Sequence, residues 1–569
     1  LEARAALYRS LVADRRVLVV LDNAATTEQV VPLLPGGPSC AALVTSRHRL
    51  RGLTARHGTH PLPLGVLTDA ESRALLTTAL GPGPVADDRA TAELIALCGG
   101  FPLALGLAAA RGRPDLPLSE VVTELREFGL DALDADDPTA GLPAVLSWSL
   151  RHLTDRQRTA FALLGIAPGP DIDLPAAAGL TGLPEREARA ELRALTDASL
   201  LDRNAGGRYA MHDVVRAYAT STAHDLPDPV RRAALERVLD FYLHTARTAD
   251  RLLDPHRTPI PFEPPVPGAR PHALGDPLAA QVWLDAHHPH LLATQRAAAA
   301  HHRHRTAWRT AWTLSTFHWW RSLRHDELAA WRAAADAAAH LPDPTTRILT
   351  HRFLGRAHLG LGHHDEAVAH LDRALTLAEH HCDIGQQADT HYALSWLWDL
   401  RGDDRKALEH VLRALAFYRD LGRPVQEAEA LNVAGWHTAR LGDHDTARHH
   451  CEAALVLHRR HGNPEGEAST LDSLGYVDHR TGRHHRATRH YREALALLRD
   501  LGNATQVAHT LDGLGHPHVA LGQHDRARAA WREALELYRE QGRVADAQRV
   551  RRQLDALGPE DDPPTGPAT

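Results

Sequence analysis

Two short apolar runs near the start of the chain lead into side chains that can bind a metal ion and a phosphate. Residues 17–21 run directly into Asp22 and Asn23, and residues 41–45 are followed closely by Arg47. Because parallel strands end at one edge of a sheet, both clusters are expected to face one crevice. An aspartate there can hold Mg²⁺ through water, and an arginine can donate charge-assisted hydrogen bonds to a terminal phosphate.

Two further motifs lie downstream, and each of them alone has a simple structural explanation. The Gly-Phe-Pro of CGGFPLAL (98–105) could simply break a strand or begin a helix. His212 of YAMHDVVRAYA (209–219) could be a half-buried histidine satisfied by Asp213. Arg47 could equally be a solvated charge at a strand end. The motifs therefore carry information through their order along the chain rather than singly.

The elements that must position these residues change character over the first half of the chain. Residues 1–60 predict an α/β unit, because two unalternating apolar runs separated by a helical segment suit a buried parallel sheet. Residues 61–138 predict a helical domain that contains GFPLAL. Residues 139–222 predict three helices, a strand, a Gly-Gly turn, a strand and a helix, which is a winged-helix arrangement. Residues 223–275 predict a helix and a proline-rich linker.

The rest of the chain predicts a helical solenoid. Over residues 345–556 glycine recurs every 40 residues, and an alanine follows each glycine five positions later, as at Gly362 and Ala367. Glycine permits a tight turn and small residues let neighbouring helices approach, so the period predicts five helical hairpins. Residues 276–344 predict degenerate helical repeats, and residues 557–569 predict a disordered tail.

The hairpins resemble tetratricopeptide repeats, in a form about six residues longer than the usual unit of about 34. Upstream, the motifs VLVVLDN, LVTSR, GGFPLAL and MHD occur in one order, the last of them in the winged-helix segment. Together these features resemble the NB-ARC family of STAND-class signalling ATPases with C-terminal tetratricopeptide repeats, which includes bacterial SARP-type transcriptional regulators. The implied fold is multidomain and mainly α, with a partial α/β P-loop-type nucleotide fold, a helical domain, a winged helix and an α-solenoid.

The resemblance implies a role for each motif residue. Asp22 corresponds to the Walker B acid on Mg²⁺, and Asn23 stands where many relatives carry a second catalytic acid, so weak activation of water is expected. Arg47 corresponds to the sensor of the terminal phosphate, and Pro102 to the loop near the base. His212 is expected to touch the diphosphate of ADP as part of a switch motif made of Met211, His212 and Asp213.

A nucleotide site also needs a phosphate-binding loop of the form GxxxxGK[ST], in which backbone N–H groups and a lysine surround the phosphates. Residues 1–16 contain neither glycine nor lysine, and the only lysine of the chain is Lys406. We therefore expect the chain to be truncated before the Walker B strand. The intact protein is expected to be a slow ATPase switch that binds ADP or ATP with Mg²⁺. This chain is expected to bind no nucleotide tightly and to lack catalytic competence.

Composition disfavours several classes of partner. The net charge is −7 with histidine neutral, so no basic field favours nucleic acid or a membrane. The predicted recognition helix PEREARAELRAL mixes acids with arginines, so DNA binding is expected only through an upstream domain. Four separated cysteines without CxxC spacing suit a reducing cytoplasm, and the 41 histidines show no compact ligand cluster in the sequence.

Two functions of different classes fit these features. The first is a regulatory switch, closed with ADP and open with ATP, which self-oligomerises on activation and controls an upstream effector, with transcriptional regulation as the expected output. The alternative is a tetratricopeptide-repeat scaffold with a vestigial nucleotide fold, which the missing loop and Asn23 favour. A protein or peptide partner is expected on the first helices of the hairpins. The candidates for this exposed face, some of which could instead be packing residues, are His391, Trp396, Asn432, Trp436, Asp472 and Asp512.

Overall fold

The two apolar runs form neighbouring strands of a parallel sheet. The computed structural model describes residues 2–81, 85, 87–111, 117–128, 146–147 and 149–557. Strand β1 (Leu18–Leu21) pairs with β2 (Ala41–Val44) in parallel, with Leu18 opposite Ala41, so the predicted pairing is confirmed. The helices of this region are α1 (Glu2–Val12), α2 (Thr27–Val30), which continues into a 3-10 turn (Val31–Leu33), and α3 (Arg51–His57).

A helical stretch follows the sheet, as the sequence predicts. Its helices are α4 (Asp69–Leu80), α5 (Asp88–Cys98), α6 (Pro102–Arg111) and α7 (Leu118–Phe128). Thr68 and Glu71 form the reciprocal capping box that their spacing predicts at the start of α4. Gly99 ends α5 in the left-handed region with a φ of 56°, and Pro102 begins α6. Within the predicted helical domain, residues 82–84, 86, 112–116 and 129–138 lie outside the described residues.

Helices and a small antiparallel sheet make up the next region, and they include a strand (Asp171–Ile172) and a helix (Leu174–Thr181) that the sequence did not predict. The elements are α8 (Asp155–Gly165), β3 (Asp171–Ile172), α9 (Leu174–Thr181), α10 (Glu185–Asp197), β4 (Asp202–Arg203), β5 (Tyr209–Ala210) and α11 (Asp213–His224). The strands lie in the order β3-β5-β4. Phe161, Leu180 and Leu195 have no exposed area and form the centre of the core. Residues 139–145 and 148 lie outside the described part of the chain.

A long helix, α12 (Asp228–Leu253), spans the division between two compact units. The first unit contains Leu1–Tyr242 and Pro264–His272, and the second contains Leu243–Glu263 and Ala273–Thr569. The sequence places a helix and linker over residues 223–275, whereas the division falls inside α12. The end of this helix bonds to the helices that follow it, since the Thr316 hydroxyl donates a 2.8 Å hydrogen bond to buried Asp250.

The helices of the second unit keep the 40-residue period of the sequence. First helices of successive hairpins begin at Pro344, Ile384, Pro424, Pro464 and Ala504, so the five predicted repeats are confirmed. An earlier hairpin begins at His304, and the degenerate copy predicted in residues 276–344 is therefore a complete helical pair. The helices are α13 (Pro277–Ala300), α14 (His304–Trp320), α15 (Arg324–Ala338), α16 (Pro344–Gly360), α17 (His364–His380), α18 (Ile384–Leu400), α19 (Asp404–Asp420), α20 (Pro424–Arg440), α21 (His444–His461), α22 (Pro464–Arg480), α23 (His484–Asp500), α24 (Ala504–Ala520), α25 (His524–Glu540) and α26 (Val544–Ala556).

The periodic glycines and alanines have the roles that the sequence predicts. The turn glycines adopt positive φ angles between 68° and 97°, which L-residues with side chains rarely adopt. The alanines five positions later have no exposed area. The mainly helical, multidomain fold with a solenoid of helical hairpins is thus confirmed. In the described part of the chain, none of the helices has the length and apolarity needed to cross a bilayer. Of the predicted disordered tail, residues 558–569 are not described.

The two helices of a hairpin approach each other most closely where a small residue faces a bulky one. A Cβ atom added to Gly515 would overlap the indole of Trp531, and a Cβ added to Gly475 would lie 2.9 Å from the ring of Tyr491. The indole N–H of Trp531 donates to the carbonyl oxygen of Asp512 at 2.9 Å, so the ring cannot move without losing this bond. Glycine is therefore required at these crossings.

Replacing Gly515 with alanine is expected to destabilise the second unit by about 2 kcal/mol, because the added methyl group overpacks the crossing against Trp531. Urea denaturation followed by circular dichroism measures the change. The control is Gly106→Ala in α6, where no atom lies within 4 Å of the added Cβ. This control should be neutral or stabilising by up to about 1 kcal/mol. Equal stability of the Gly515→Ala variant and the unsubstituted chain would contradict the packing described.

Candidate functional site

The ends of the two parallel strands meet as the sequence predicts. The Thr45 hydroxyl donates a hydrogen bond of 2.5 Å to Oδ1 of Asp22, and the backbone N–H of Asn23 donates to the Thr45 hydroxyl at 2.9 Å. The N–H of Thr45 donates to the carbonyl of Leu21 at 2.9 Å, and that of Ala24 donates to the carbonyl of Thr45 at 3.0 Å. These bonds continue the pairing beyond the strands and hold Asp22 beside the end of β2.

A pocket of about 290 Å³ opens beside this edge. Asn23 and Arg47 both line it, so the structure brings together two of the residues that the sequence placed in one crevice. Arg151 and His152 also line the pocket, and the ring of His152 lies edge-on to that of His48 with 6.0 Å between centroids. Sequence reasoning missed both residues, because SWSLRHL shows only a polar helix end. The other lining residues are Ala24, Ala25 and Ser149.

The chemistry of this pocket suits an anion. Arg47 and Arg151 contribute guanidinium groups and His48 and His152 contribute imidazoles, which are hydrogen-bond donors of the kind that hold phosphate. Burial and the neighbouring His152 lower the pKa of His48, against an opposing effect of Asp197. His48 therefore contributes less positive charge to the pocket at neutral pH than the two arginines do.

Asp22 lies next to the pocket and does not line it. Its side chain is exposed, and Oδ1 is engaged by Thr45. Among the described residues, Oδ2 of Asp22 accepts no hydrogen bond. A hydrated Mg²⁺ fits this free carboxylate oxygen, since magnesium keeps several waters and needs few protein ligands. Asp22 would hold the ion, which would supply positive charge beside the pocket.

The Gly-Gly-Phe-Pro loop contacts the start of the switch motif's helix. A Cβ added to Gly99 would lie 3.6 Å from Cβ of Asp213, so the loop passes directly over the first residue of α11. Gly100 has a φ of 66°, its carbonyl accepts a 2.8 Å hydrogen bond from Leu67, and a side chain there would overlap Leu67. Pro102 begins α6 and is exposed, away from the lining of the pocket. Two motifs far apart in sequence thus meet at Gly99 and Asp213.

His212 contacts a different acid from the one that the sequence suggests. Its Nε2 lies 3.1 Å from Oδ2 of Asp202, and Arg49 lies 3.4 Å from the other oxygen of the same carboxylate. Asp213 is the first residue of α11, and Met211 is buried. The polar contacts therefore link the segment after β2 to the hairpin and the switch motif. His212 does not line the pocket that holds Asn23 and Arg47.

The candidate partner residues of the repeats occupy three positions of the 40-residue period. These are Trp396 and Trp436; Asn432, Asp472 and Asp512; and His391. The expected exposure is wrong for three of them, whose side chains are buried: His391, Asp472 and Asp512. His391 is buried because its equivalents in later repeats are the core residues Leu431, Leu471 and Leu511. Asp512 is covered by Arg549 of α26, 2.8 Å away. Contact with a partner stays a prediction for all six.

The first helices turn one face toward the inside of the curved array. The ring of Trp396 lies 5.3 Å from that of Trp319, and the ring of Trp436 lies 6.3 Å from that of His509. Each pair joins first helices that are separated by one complete hairpin. Non-neighbouring hairpins can touch only on the concave side of a curved array. The tryptophans therefore mark the inner face of the second unit.

The array curves until its beginning touches a turn near its end. The side chain of Gln281 donates to the carbonyl of Leu501 at 2.7 Å, and the hydroxyls of Ser322 and Thr505 lie 2.8 Å apart. The Thr505 hydroxyl also donates to the carbonyl of Trp320 at 3.2 Å. These contacts close the inner face into a channel.

Three carboxyl groups that the sequence did not single out, those of Asp254, Glu429 and Glu465, lie close enough together on this face to interact electrostatically. Burial and the nearby Asp254, Glu465 and Asp389 raise the pKa of Glu429 to about 8. Burial and Asp254 raise the pKa of Glu465 to about 7, although Trp320 and Asn503 donate hydrogen bonds to it. Among the described residues, neither Asp254 nor Glu429 forms an ion pair, although Arg257 lies near enough to Asp254 for a favourable charge interaction. This face therefore holds a cluster of mutually repelling acids.

Comparisons with known proteins agree with the repeat architecture. The tetratricopeptide repeat family matches residues 353–381, 426–500 and 467–540. The chain is 37% identical over 435 residues to the regulatory protein AfsR of Streptomyces griseus, covering 74% of this chain and 43% of that protein. It is 37% identical over 420 residues to AfsR of Streptomyces coelicolor, covering 71% and 40%. The chain thus spans less than half the length of these relatives.

Solved structures share only a distant likeness with the chain. A STAND protein with a tetratricopeptide repeat sensor from Pyrococcus horikoshii is 13% identical, with a TM-score of 0.36, covering 98% of this chain and 83% of that one. A Rap protein in complex with competence and sporulation factor is 11% identical, with a TM-score of 0.36, covering 56% and 97%. The sequence similarities therefore carry the relationship to regulatory proteins.

The raised pKa values predict a pH-dependent stability of the second unit. The folded state keeps the proton of Glu429 up to about pH 8, whereas the unfolded chain releases it near pH 4.5. The free energy of unfolding should therefore fall as pH rises from about 4.5 to about 8. Glu429→Gln removes the free-energy cost of ionising this carboxyl group in the folded state. It should raise Tm at pH 8 by about 3 °C, with little change at pH 5.

Glu452→Gln is the matched control, because Glu452 lies exposed on α21. Its Tm should follow that of the unsubstituted chain at both pH values. Differential scanning calorimetry measures these changes. A lower Tm of the Glu429→Gln variant at pH 8 would show that the ionised carboxylate is stabilised in the channel rather than repelled.

Proposed function

We propose that this chain is the switch and sensor part of a STAND-type regulatory protein. Nucleotide would bind at the strand edge, and the conformation of the switch motif would depend on which nucleotide is bound. The repeat array would bind a protein or peptide partner. The similarity to the Streptomyces regulatory proteins supports a regulatory role. Control of transcription through an effector is part of the proposal.

One contact carries the switch part of this proposal, namely that between Gly99 and Asp213. It joins the loop that ends α5 to the first residue of α11. A displacement of either segment must therefore shift the other. Arg49 and Asp202 make a second connection, from the segment after the sheet to His212. A ligand at the strand edge can therefore shift α11 only if it binds one position of this helix more tightly than another.

The repeat array supplies the partner-binding part. Tetratricopeptide repeats present concave surfaces built from first helices, and such extended surfaces suit proteins and peptides. Trp396 and Trp436 give this face aromatic area, and its carboxylates give it charge. The face has the mixture of aromatic and polar groups that recognition surfaces use.

A scaffold with a vestigial nucleotide fold is the second candidate function. It is favoured by Asn23 at the position of a second acid. Both candidates assign partner binding to the repeats. They differ in whether nucleotide has any effect on the natural protein.

We expect no binding of Mg-ADP or Mg-ATP to this chain at micromolar concentrations. The pocket beside Asn23 offers arginines but no loop of backbone N–H groups with a lysine, which supplies most of the contacts to phosphates. Isothermal titration calorimetry tests this expectation. A dissociation constant in the micromolar range would contradict it. Such a value would mean that residues of this chain supply the hydrogen-bond donors to the phosphates.

Asp213→Ala in the natural regulatory protein is expected to raise its basal output about fivefold, by removing stabilisation of the closed state. A transcriptional reporter measures the output, and the nucleotide content of the purified protein is measured in parallel. Asp225→Ala, an exposed position at the other end of α11, is the control and should leave both quantities unchanged. If output and nucleotide content both stay unchanged in the Asp213→Ala variant, the scaffold is favoured.

A further inference from the structure

A short segment of the chain itself enters the channel of the repeat array. Residues 254–257, here named the groove segment, follow α12 and form neither helix nor strand. Nε2 of His256 donates to the carbonyl oxygen of Gly462 at 3.2 Å, in the turn between α21 and α22. The side chain of Gln426 donates to the backbone carbonyl of His256 at 3.0 Å. The segment thus makes both side-chain and backbone contacts with the repeats, as a bound peptide would.

Arg257 anchors the segment by stacking on aromatic rings and by hydrogen bonds from Nη1. Its carbon Cζ lies 3.6 Å from the ring centre of Trp312 and 5.3 Å from that of Phe353. It donates to Asp250 at 2.8 Å and to the carbonyl of Trp312 at 2.9 Å. The side chain is 13% exposed. Both hydrogen bonds come from Nη1, and Nη2 is buried without a hydrogen-bond partner among the described residues. The two aromatic rings favour the planar guanidinium group of arginine over the ammonium group of lysine.

Asp254, at the other end of the segment, lies near two acids as well as near Arg257. It lies close enough to Glu429 and Glu465 to raise the pKa of both carboxyl groups. Asp389, the other acid near Glu429, is already paired with Arg352 at 2.7 Å. Like charges placed together in a partly desolvated site repel each other. The segment therefore has one residue that binds well and one that weakens its binding.

We propose that the groove segment is a built-in competitor for the partner site of the array, and that the partner is an extended peptide. The peptide carries an arginine for the site formed by Trp312, Phe353 and Asp250, and a neutral or basic residue three positions earlier. A basic residue there would favour the ionised forms of Glu429 and Glu465, whereas the chain's own Asp254 favours their protonated forms. The proposal rests on the partner-binding role of the repeats and specifies the partner's chemistry and the contact that it must displace.

Peptides derived from residues 253–262 test the proposal. The probe carries Asp254→Lys, and Thr258→Pro makes its Arg–Pro bond resistant to trypsin; it is labelled with fluorescein. Its affinity for the 569-residue chain is measured by fluorescence anisotropy. We expect it to bind about tenfold more tightly than the same peptide with aspartate retained, and about tenfold more tightly than one that also carries Arg257→Ala. Equal affinities of the three peptides would overturn the proposal.

Trypsin reports whether the segment is displaced, without any substitution in the chain. The bond between Arg257 and Thr258 is protected while Arg257 is buried. A saturating concentration of the unlabelled probe should speed its cleavage about fivefold, because cleavage follows the population of the opened state. The peptide with Arg257→Ala should have no effect. If the probe binds and the cleavage rate stays unchanged, the probe occupies another surface and the segment is no competitor.

Variants of the chain provide the converse test. Arg257→Ala should tighten binding of the probe about tenfold by releasing the segment. His256→Ala, which leaves no buried charge unpaired, should tighten it about threefold and covers the case in which Arg257→Ala fails to fold. Arg413→Ala, on an exposed pair with Glu409, should have no effect. If the probe binds neither the Arg257→Ala nor the His256→Ala variant, the inference about the groove segment is overturned. The proposed switch function is unaffected by that result, because the Asp213→Ala measurements test it separately.

Discussion

The close crossing of two helices at a glycine is the constraint on which the second unit depends. Where Gly475 faces Tyr491 and Gly515 faces Trp531, the backbone of one helix lies directly against a large ring on the other. This spacing is repeated every 40 residues, so each hairpin is rotated by a similar small angle relative to the last. Summed over the array, these rotations bring Gln281 to Leu501. The closed channel is thus a consequence of local packing at small residues.

The first unit depends on a different kind of constraint, the meeting of two strand ends. One threonine hydroxyl joins Asp22 to the backbone of Asn23, and this places a carboxylate beside a pocket lined with arginines. Negative and positive groups side by side suit a ligand that brings both phosphate and a metal ion. The meeting of Gly99 with Asp213 then gives this region a mechanical connection to α11.

Features set by local chemistry could be predicted from the sequence, and features set by curvature could not. The parallel strands, the Thr68–Glu71 capping box and the hairpin period follow from apolar patterning, cap residues and turn glycines. The burial of His391 could also have been predicted, because the equivalent positions of the next three repeats are Leu431, Leu471 and Leu511. Arg151 and Arg257 reach their sites through long-range folding, and no spacing in the sequence records it.

The groove segment is joined to the array at both ends by the chain, and this changes how it competes. A tethered occupant has an effective concentration fixed by the length of its connections, commonly in the millimolar range for short flexible ones. Diluting the protein cannot release it, and raising the protein concentration cannot strengthen it. The array therefore responds only to the amount and affinity of the incoming peptide, with a threshold that is the same in every cell, whatever the level of expression.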